Sequence, residues 1–234
     1  MKKREKARQI TRKISRRVKE KYFDCWSPAE RKIKNFFERK KKILFYPFLR
    51  FFVWLGISAN AISYVSAFLG VGAAVYMKYD LVVAGWLLLA SFVLDGIDGS
   101  LARYTGKNDH RGALTDTFTD QVSVSATTIG LLVNGLIDIF WGSLYLVLYP
   151  VLILFSVLKN TLNIPNKYVF RPRVIVYCLF WWSVWIGENY LTLALVPIVI
   201  ILFVYVLYDF YTLRKWAHGF GYTFHVAVKK RRKK

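Results

Sequence analysis

The sequence predicts an all-α, polytopic membrane protein with six transmembrane helices and an N-terminal amphipathic juxtamembrane helix. Three observations carry this prediction. Apolar residues make up 55% of the 234 residues although the formal net charge is +21. Lys and Arg crowd into residues 1–42, short interior stretches and the Lys229–Lys234 tail. Between them lie apolar runs of membrane length, and a spanning helix needs ~20 mostly apolar residues.

The charge pattern also excludes some classes. A nucleic-acid binder would not interleave its basic surface with membrane-length apolar segments, so no nucleic-acid partner is expected. Topology signals and attraction to anionic membrane lipids account for the basic excess. The two cysteines, Cys25 and Cys178, are far apart in the chain and make neither a disulfide framework nor a Cys-based zinc site. The basic amino terminus runs on before any apolar stretch begins, unlike a secretory signal, and reads as a retained cytoplasmic arm.

In chain order, residues 1–22 form a polar, basic arm. Ser27-Pro28-Ala29-Glu30 is a helix start: Ser27 caps, Pro28 suits the first helical position and Glu30 completes a capping box. The helix that follows sets Ile33, Phe36, Phe37, Ile43 and Leu44 among Lys and Arg, an interfacial amphipathic pattern. Phe45–Trp54 leads into the bundle. Spans are expected over 57–77, 81–103, 112–137, 142–161, 174–188 and 190–209. Three regions result: a basic arm with its interfacial helix (1–56), a transmembrane domain (57–211) and a basic cytoplasmic tail (212–234).

Orientation follows from the positive residues. With the amino terminus in the cytoplasm, that side receives the arm, Arg103–Arg111, Lys159–Arg173 and the tail. The opposite side receives Lys78, Asp80, Asp138 and Glu188, which obeys the positive-inside rule for an even number of spans. Trp181, Trp182 and Trp185 suit lipid contact and interfacial anchoring. Gly70, Gly72 and Ala74 give the first span a small face for close packing inside the bundle, with a homodimer seam as the second reading.

Four carboxylates interrupt the apolar pattern. Asp95 and Asp98 lie in the second span, Asp116 and Asp120 in the third. A lone Asp at mid-bilayer costs ~2.5–3.5 kcal/mol on insertion scales, so four would cost on the order of 10 kcal/mol. Such groups must lie near the interface, be protonated or bind cations. Asp95 and Asp98 are three apart and Asp116 and Asp120 four apart, so each pair shares a helix face. The short connection from Tyr104 to Arg111 makes the two helices antiparallel neighbours and brings both pairs to the cytoplasmic end. All-oxygen clusters of this kind suit Mg²⁺ or Mn²⁺, and two divalent ions would balance four carboxylates. Gly99 and Gly112 remove side chains where a nucleotide or a neighbouring helix must come close, and Arg103 is placed to meet phosphate oxygens.

Residues 95–120 read D-G-I-D-G-S-L-A-R-Y-T-G-K-N-D-H-R-G-A-L-T-D-T-F-T-D. This resembles the CDP-alcohol phosphatidyltransferase signature, D-x₂-D-G-x₂-A-R-x₈-G-x₃-D-x₃-D, at all eight fixed positions. The resemblance implies that 57–211 is a catalytic domain and that Asp95, Asp98 and Asp116 are metal ligands. It implies that Asp120 is the catalytic carboxylate and also touches a metal, and that Gly99, Ala102, Arg103 and Gly112 line the CDP site. Ser58-Ala59-Asn60-Ala61-Ile62-Ser63 is similar to the family's S/T-P-N-x-x-S/T segment with Ala59 in place of Pro, which sets Asn60 near the nucleotide. Arg111 and Thr115 stand where relatives often carry Phe and Leu.

What the resemblance implies is phosphoryl-linked transfer from a CDP-activated lipid donor to an alcohol acceptor. Lys159, Lys167, Arg171 and Arg173 resemble in position the family's basic pocket for phosphorylated acceptors such as inositol phosphate or glycerol phosphate, with topology determinants as the competing reading. A CDP-choline/ethanolamine-type reaction uses the same motif. An ion or proton transporter would also carry intramembrane carboxylates, but on separate, often broken helices. A membrane scaffold would leave the four Asp residues without a reason.

Overall fold

The structure, a computed structural model, describes residues 45–106, 110–162, 164 and 169–232, the last fifteen of these as backbone alone. The Ser27–Glu30 helix start, the amphipathic pattern over 33–44 and Lys167 lie outside the described residues. Every regular element among the described residues is helical. Helix α1 runs over 45–54. It is followed by α2 (Ala59–Tyr76), α3 (Leu81–Tyr104), α4 (His110–Val133), α5 (Ile139–Thr161), α6 (Arg173–Ile186) and α7 (Leu191–Arg232).

Short polar side chains start three of these helices. Ser58 Oγ accepts from the Ala61 amide at 3.2 Å. Asp80 Oδ1 accepts from Val82 and Val83, and Asp138 Oδ1 from Phe140 and Trp141, so two acids at the heads of α3 and α5 satisfy amides that a helix leaves open. Gly187, in the left-handed region at φ +78°, closes α6. The last helix does not stop at 209 as the apolar run suggests but continues unbroken into the basic tail.

Four helices are long and apolar enough to cross a membrane: α2, α3, α5 and the Leu191–Ala217 part of α7. Only 28–33% of each apolar window is buried inside the bundle, so most of their apolar surface faces outward. That is the inverse of a soluble core and what a lipid solvent permits. The other two helices expected to span, α4 and α6, fall short for different physical reasons. Helix α6 has 14 residues and at ~1.5 Å per residue rises about 21 Å, less than the ~30 Å hydrocarbon thickness. Helix α4 is long enough but rich in hydroxyls. It keeps them satisfied within itself: Thr115, Thr117, Thr119, Thr127 and Thr128 each donate to the carbonyl four residues back.

The hydroxyl-bearing helix is packed against α2 and α3. Ser66 Oγ donates to the Ser91 carbonyl and Ser91 Oγ to the Ser66 carbonyl, both at 2.8 Å, with Ser123 Oγ 3.4 Å from Ser91 Oγ. Interhelical hydrogen bonds and small residues are the means by which helices associate where lipid removes the hydrophobic drive. A Cβ on Gly70 would stand 2.0 Å from Ser123 Oγ, and one on Gly130 would stand 2.9 Å from the Ala74 backbone. Gly70 and Ala74 therefore spend their small surface on α4, whereas Gly72 has open space around it. We expect Gly130→Val to lower stability by about 1–3 kcal/mol, since rigid backbone blocks the added atoms; thermal unfolding in detergent, compared with wild type, measures it.

Helices α5 and α7 make the second tight pair, and α6 leans on α3 and α7. Helix α1 buries Leu49 against Ile62, Ile97 and Leu101, covering the ends of α2 and α3. Phe48, Phe51 and Trp54 of α1 face outward.

Candidate functional site

Helical geometry sets the four acids in place. Asp95 and Asp98 project from one face of α3, and Asp116 from the antiparallel α4 that follows it. Carboxylate oxygens of Asp95, Asp98 and Asp116 lie within 4.8 Å of one another. Asp95 stands nine residues before the end of α3, about 13 Å along a helix rising ~1.5 Å per residue, so the group is recessed from the helix ends.

Asp98 is the most buried of the acids at 2% exposure. Its two oxygens are held separately, Oδ2 by the Ser63 hydroxyl of α2 and Oδ1 by the Gly99 amide. Ser63 is the last residue of the segment whose Asn60 drew attention in the sequence. It touches the cluster directly, while Asn60 is exposed one turn earlier on α2.

Asp120, expected as a fourth ligand, stands outside the three-carboxylate group. Arg173, the first residue of α6, holds it: Nη1 donates to Asp120 Oδ1 and Nη2 to Asp95 Oδ2 at 2.7 Å. One guanidinium thus joins α3, α4 and α6. Its carbon lies 5.6 Å from the centroid of the Phe92 ring, a cation–π placement one turn before Asp95. The planar fork makes this bridging possible; an ammonium could not form it with the same geometry.

The other expected residues sort as follows. Arg103 is exposed in the last turn of α3 with Nη2 3.4 Å from Ser100 Oγ. Gly99 lies beside it, and a Cβ there would meet the guanidinium at an ordinary 3.4 Å, so the close approach that Gly99 permits is toward whatever lies outside the protein. Ala102 and Gly112 are half-buried on α3 and α4. Of the basic group expected at an acceptor, Arg171 is half-buried two residues before Arg173. Lys159 is 1% exposed, and its ammonium donates to Asp209 Oδ1 of α7 at 2.7 Å.

An apolar groove of about 560 Å³ runs between α3 and α6, lined by Leu88, Phe92, Val174, Tyr177 and Trp181 among others. Phe92 borders both this groove and the Arg173 guanidinium, so the groove ends at the charged site.

A family profile described as CDP-alcohol phosphatidyltransferase matches residues 56–224. A CDP-diacylglycerol–serine O-phosphatidyltransferase of Helicobacter pylori is 38% identical over 65 residues, 27% of each chain. An archaetidylinositol phosphate synthase of Pyrococcus horikoshii is 33% identical over 96 residues, 40% of this chain and 50% of that one. The matched stretches thus span about a quarter to a half of these relatives' own length. Among solved structures, the phosphatidylinositol phosphate synthase of Mycobacterium tuberculosis in complex with manganese and citrate shares the fold with a TM-score of 0.61 at 17% identity, over 71% of this chain and 87% of that one.

Proposed function

Since the chain belongs to the CDP-alcohol phosphatidyltransferase family, we propose that it transfers a phosphatidyl-type group from a CDP-lipid, CDP-diacylglycerol or CDP-archaeol, to a hydroxyl acceptor and releases CMP. The observation that carries this reading is the recessed group of Asp95, Asp98 and Asp116 beside an Arg173-held Asp120. Three carboxylates converging within 4.8 Å, one of them buried and braced on both oxygens, fit a hard divalent cation. Asp95, Asp98 and Asp116 would hold it; when bound, such an ion supplies positive charge against the donor pyrophosphate and the departing phosphate of CMP. Manganese in the structurally similar phosphatidylinositol phosphate synthase supports a divalent cation here.

The chain's own residues do the rest. The acceptor hydroxyl attacks the lipid-side phosphorus, its O–H proton passes to Asp120, a new P–O bond forms and the bridging P–O bond to CMP breaks. Arg173 fixes the carboxylate of Asp120 in position, and Arg103 with the open surface at Gly99 and Ala102 meets the CDP phosphates. Gly112 and Asn60 stand at the mouth on α4 and α2. The groove between α3 and α6 supports a lipid donor, because apolar volume that ends at the charged site suits a headgroup whose chains remain in an apolar phase.

In this reading all six helices α2–α7 cross the membrane, with both termini and the site on the cytoplasmic side and the basic arm against anionic lipids. The acceptor is a phosphorylated polyol met by Arg171, with Arg173 at the reacting end.

The test is CMP release by purified protein from CDP-diacylglycerol and CDP-archaeol against serine, glycerol phosphate and inositol phosphate, with and without EDTA. Release with one acceptor, abolished by chelation and restored by Mg²⁺ or Mn²⁺, is the expected result; full activity after exhaustive chelation would end the proposal. Asp120→Asn should lower turnover by about a hundredfold, the low end of what a positioned base contributes, with little change in acceptor KM.

A further inference from the structure

Arg173 is a cation built into the carboxylate site, and its position sets it against any other cation there. It is the first residue of α6, 53 residues from Asp120 and 78 from Asp95, and forks between the two. Its side chain is 13% exposed, against 18% for Asp95 and 29% for Asp120, so water screens the fork only in part. Asp95 belongs at once to this fork and to the three-carboxylate group. We propose that Arg173 is an internal counter-cation that competes with a divalent ion for Asp95, the carboxylate its fork shares with the three-carboxylate group, offsetting the site's negative charge and weakening its metal affinity. This rests on the reading of the carboxylates as a divalent-cation site.

The argument is electrostatic and geometric. Four carboxylates on α3 and α4 sit among apolar helices, and uncompensated charge there costs several kcal/mol per group. One guanidinium offsets part of that charge and, by bridging two helices, holds the acids together. The same positive charge repels an incoming divalent ion and engages one lone pair of Asp95 Oδ2. Phe92 beneath the guanidinium favours the cation's residence and gives it a fixed seat. A residue of merely structural importance would, when removed, leave metal affinity unchanged or weaken it by loosening the site. A competitor does the opposite.

The experiment is Mn²⁺ titration of the purified full chain in detergent, read by electron paramagnetic resonance of free Mn²⁺, for wild type, Arg173→Ala and Arg173→Lys. Arg173→Ala should bind Mn²⁺ about tenfold more tightly or better, as expected when a unit charge at hydrogen-bond distance is removed. Arg173→Lys keeps the charge but cannot hold two carboxylates at once, and should fall between. Thermal unfolding gives an independent reading: Arg173→Ala should melt lower than wild type in EDTA and gain more from Mn²⁺ than wild type does. Should Arg173→Ala not fold, the lysine variant alone decides. An Mn²⁺ dissociation constant equal to or weaker than that of wild type, in whichever variant folds, overturns the inference while leaving the metal-site reading intact. Wild-type protein that binds no Mn²⁺ removes both.

Discussion

Asp98→Asn is expected to cut CMP release by about a thousandfold or more while raising the melting temperature of the metal-free protein. The first effect follows from what Asp98 is asked to do. Lewis-acid stabilisation of transferring phosphoryl groups is worth several kcal/mol, and ~4 kcal/mol is about a thousandfold in rate. Asp98 is the most buried of the three acids and the one fixed on both oxygens, by Ser63 and by the Gly99 amide. An amide of the same shape can keep the Gly99 N–H on its oxygen and donate to Ser63 Oγ, whose hydroxyl then turns to the Ala59 carbonyl, but it offers no negative charge. The second effect has the opposite sign for the same reason. Without an ion, Asp95, Asp98 and Asp116 repel one another, and removing one charge relieves the folded state. Functional sites commonly hold this kind of stability in reserve. Measuring CMP release beside thermal unfolding in EDTA separates the two; an inactive variant that also melts lower would mean that Asp98 serves the fold, and an active one would remove it from the metal site.

Part of this site is legible in the chain because helix geometry is fixed. Spacings of three and four put Asp95 with Asp98 and Asp116 with Asp120 on shared faces before any tertiary information, and the short connection forces the faces together. The six helices were legible from apolar runs bounded by polar stretches. Their ends were less so: nothing between residues 209 and the basic tail breaks a helix, so α7 continues where hydropathy ends. Pairings distant in sequence were not legible at all. Neither period nor motif says that an arginine opening a later helix will fork between Asp95 and Asp120. Ser63 lay inside a recognised segment but its partner on α3 is a tertiary fact. Asp80 and Asp138 could have been read as more than loop charges, since an Asp directly ahead of an apolar run is a helix-cap signal. Asp209 gave a fainter one: an acid inside the longest apolar run needs a partner, and a lysine at the end of another apolar run can be that partner.

That pair carries the largest stability effect expected outside the site. Lys159 Nζ and Asp209 Oδ1 lie 2.7 Å apart with side-chain exposures of 1% and 4%, and the ammonium also stands 5.4 Å from the Tyr208 ring centroid. Breaking a buried pair from one side leaves the other charge uncompensated, so Asp209→Asn and Lys159→Met should each cost about 3–5 kcal/mol. Replacing both, as in Lys159→Met with Asp209→Leu, should recover most of that loss, because a buried ion pair is worth little more than apolar groups of similar volume. Unfolding in detergent for the two singles and the double gives the coupling directly. The double variant also settles what Lys159 does beyond the fold. With Asp209 holding the ammonium for the fold, the double variant should keep the wild-type acceptor KM. A KM raised tenfold or more, about 1.4 kcal/mol of lost binding, would instead return Lys159 to the basic pocket that the sequence suggested and make Asp209 the residue that aims it.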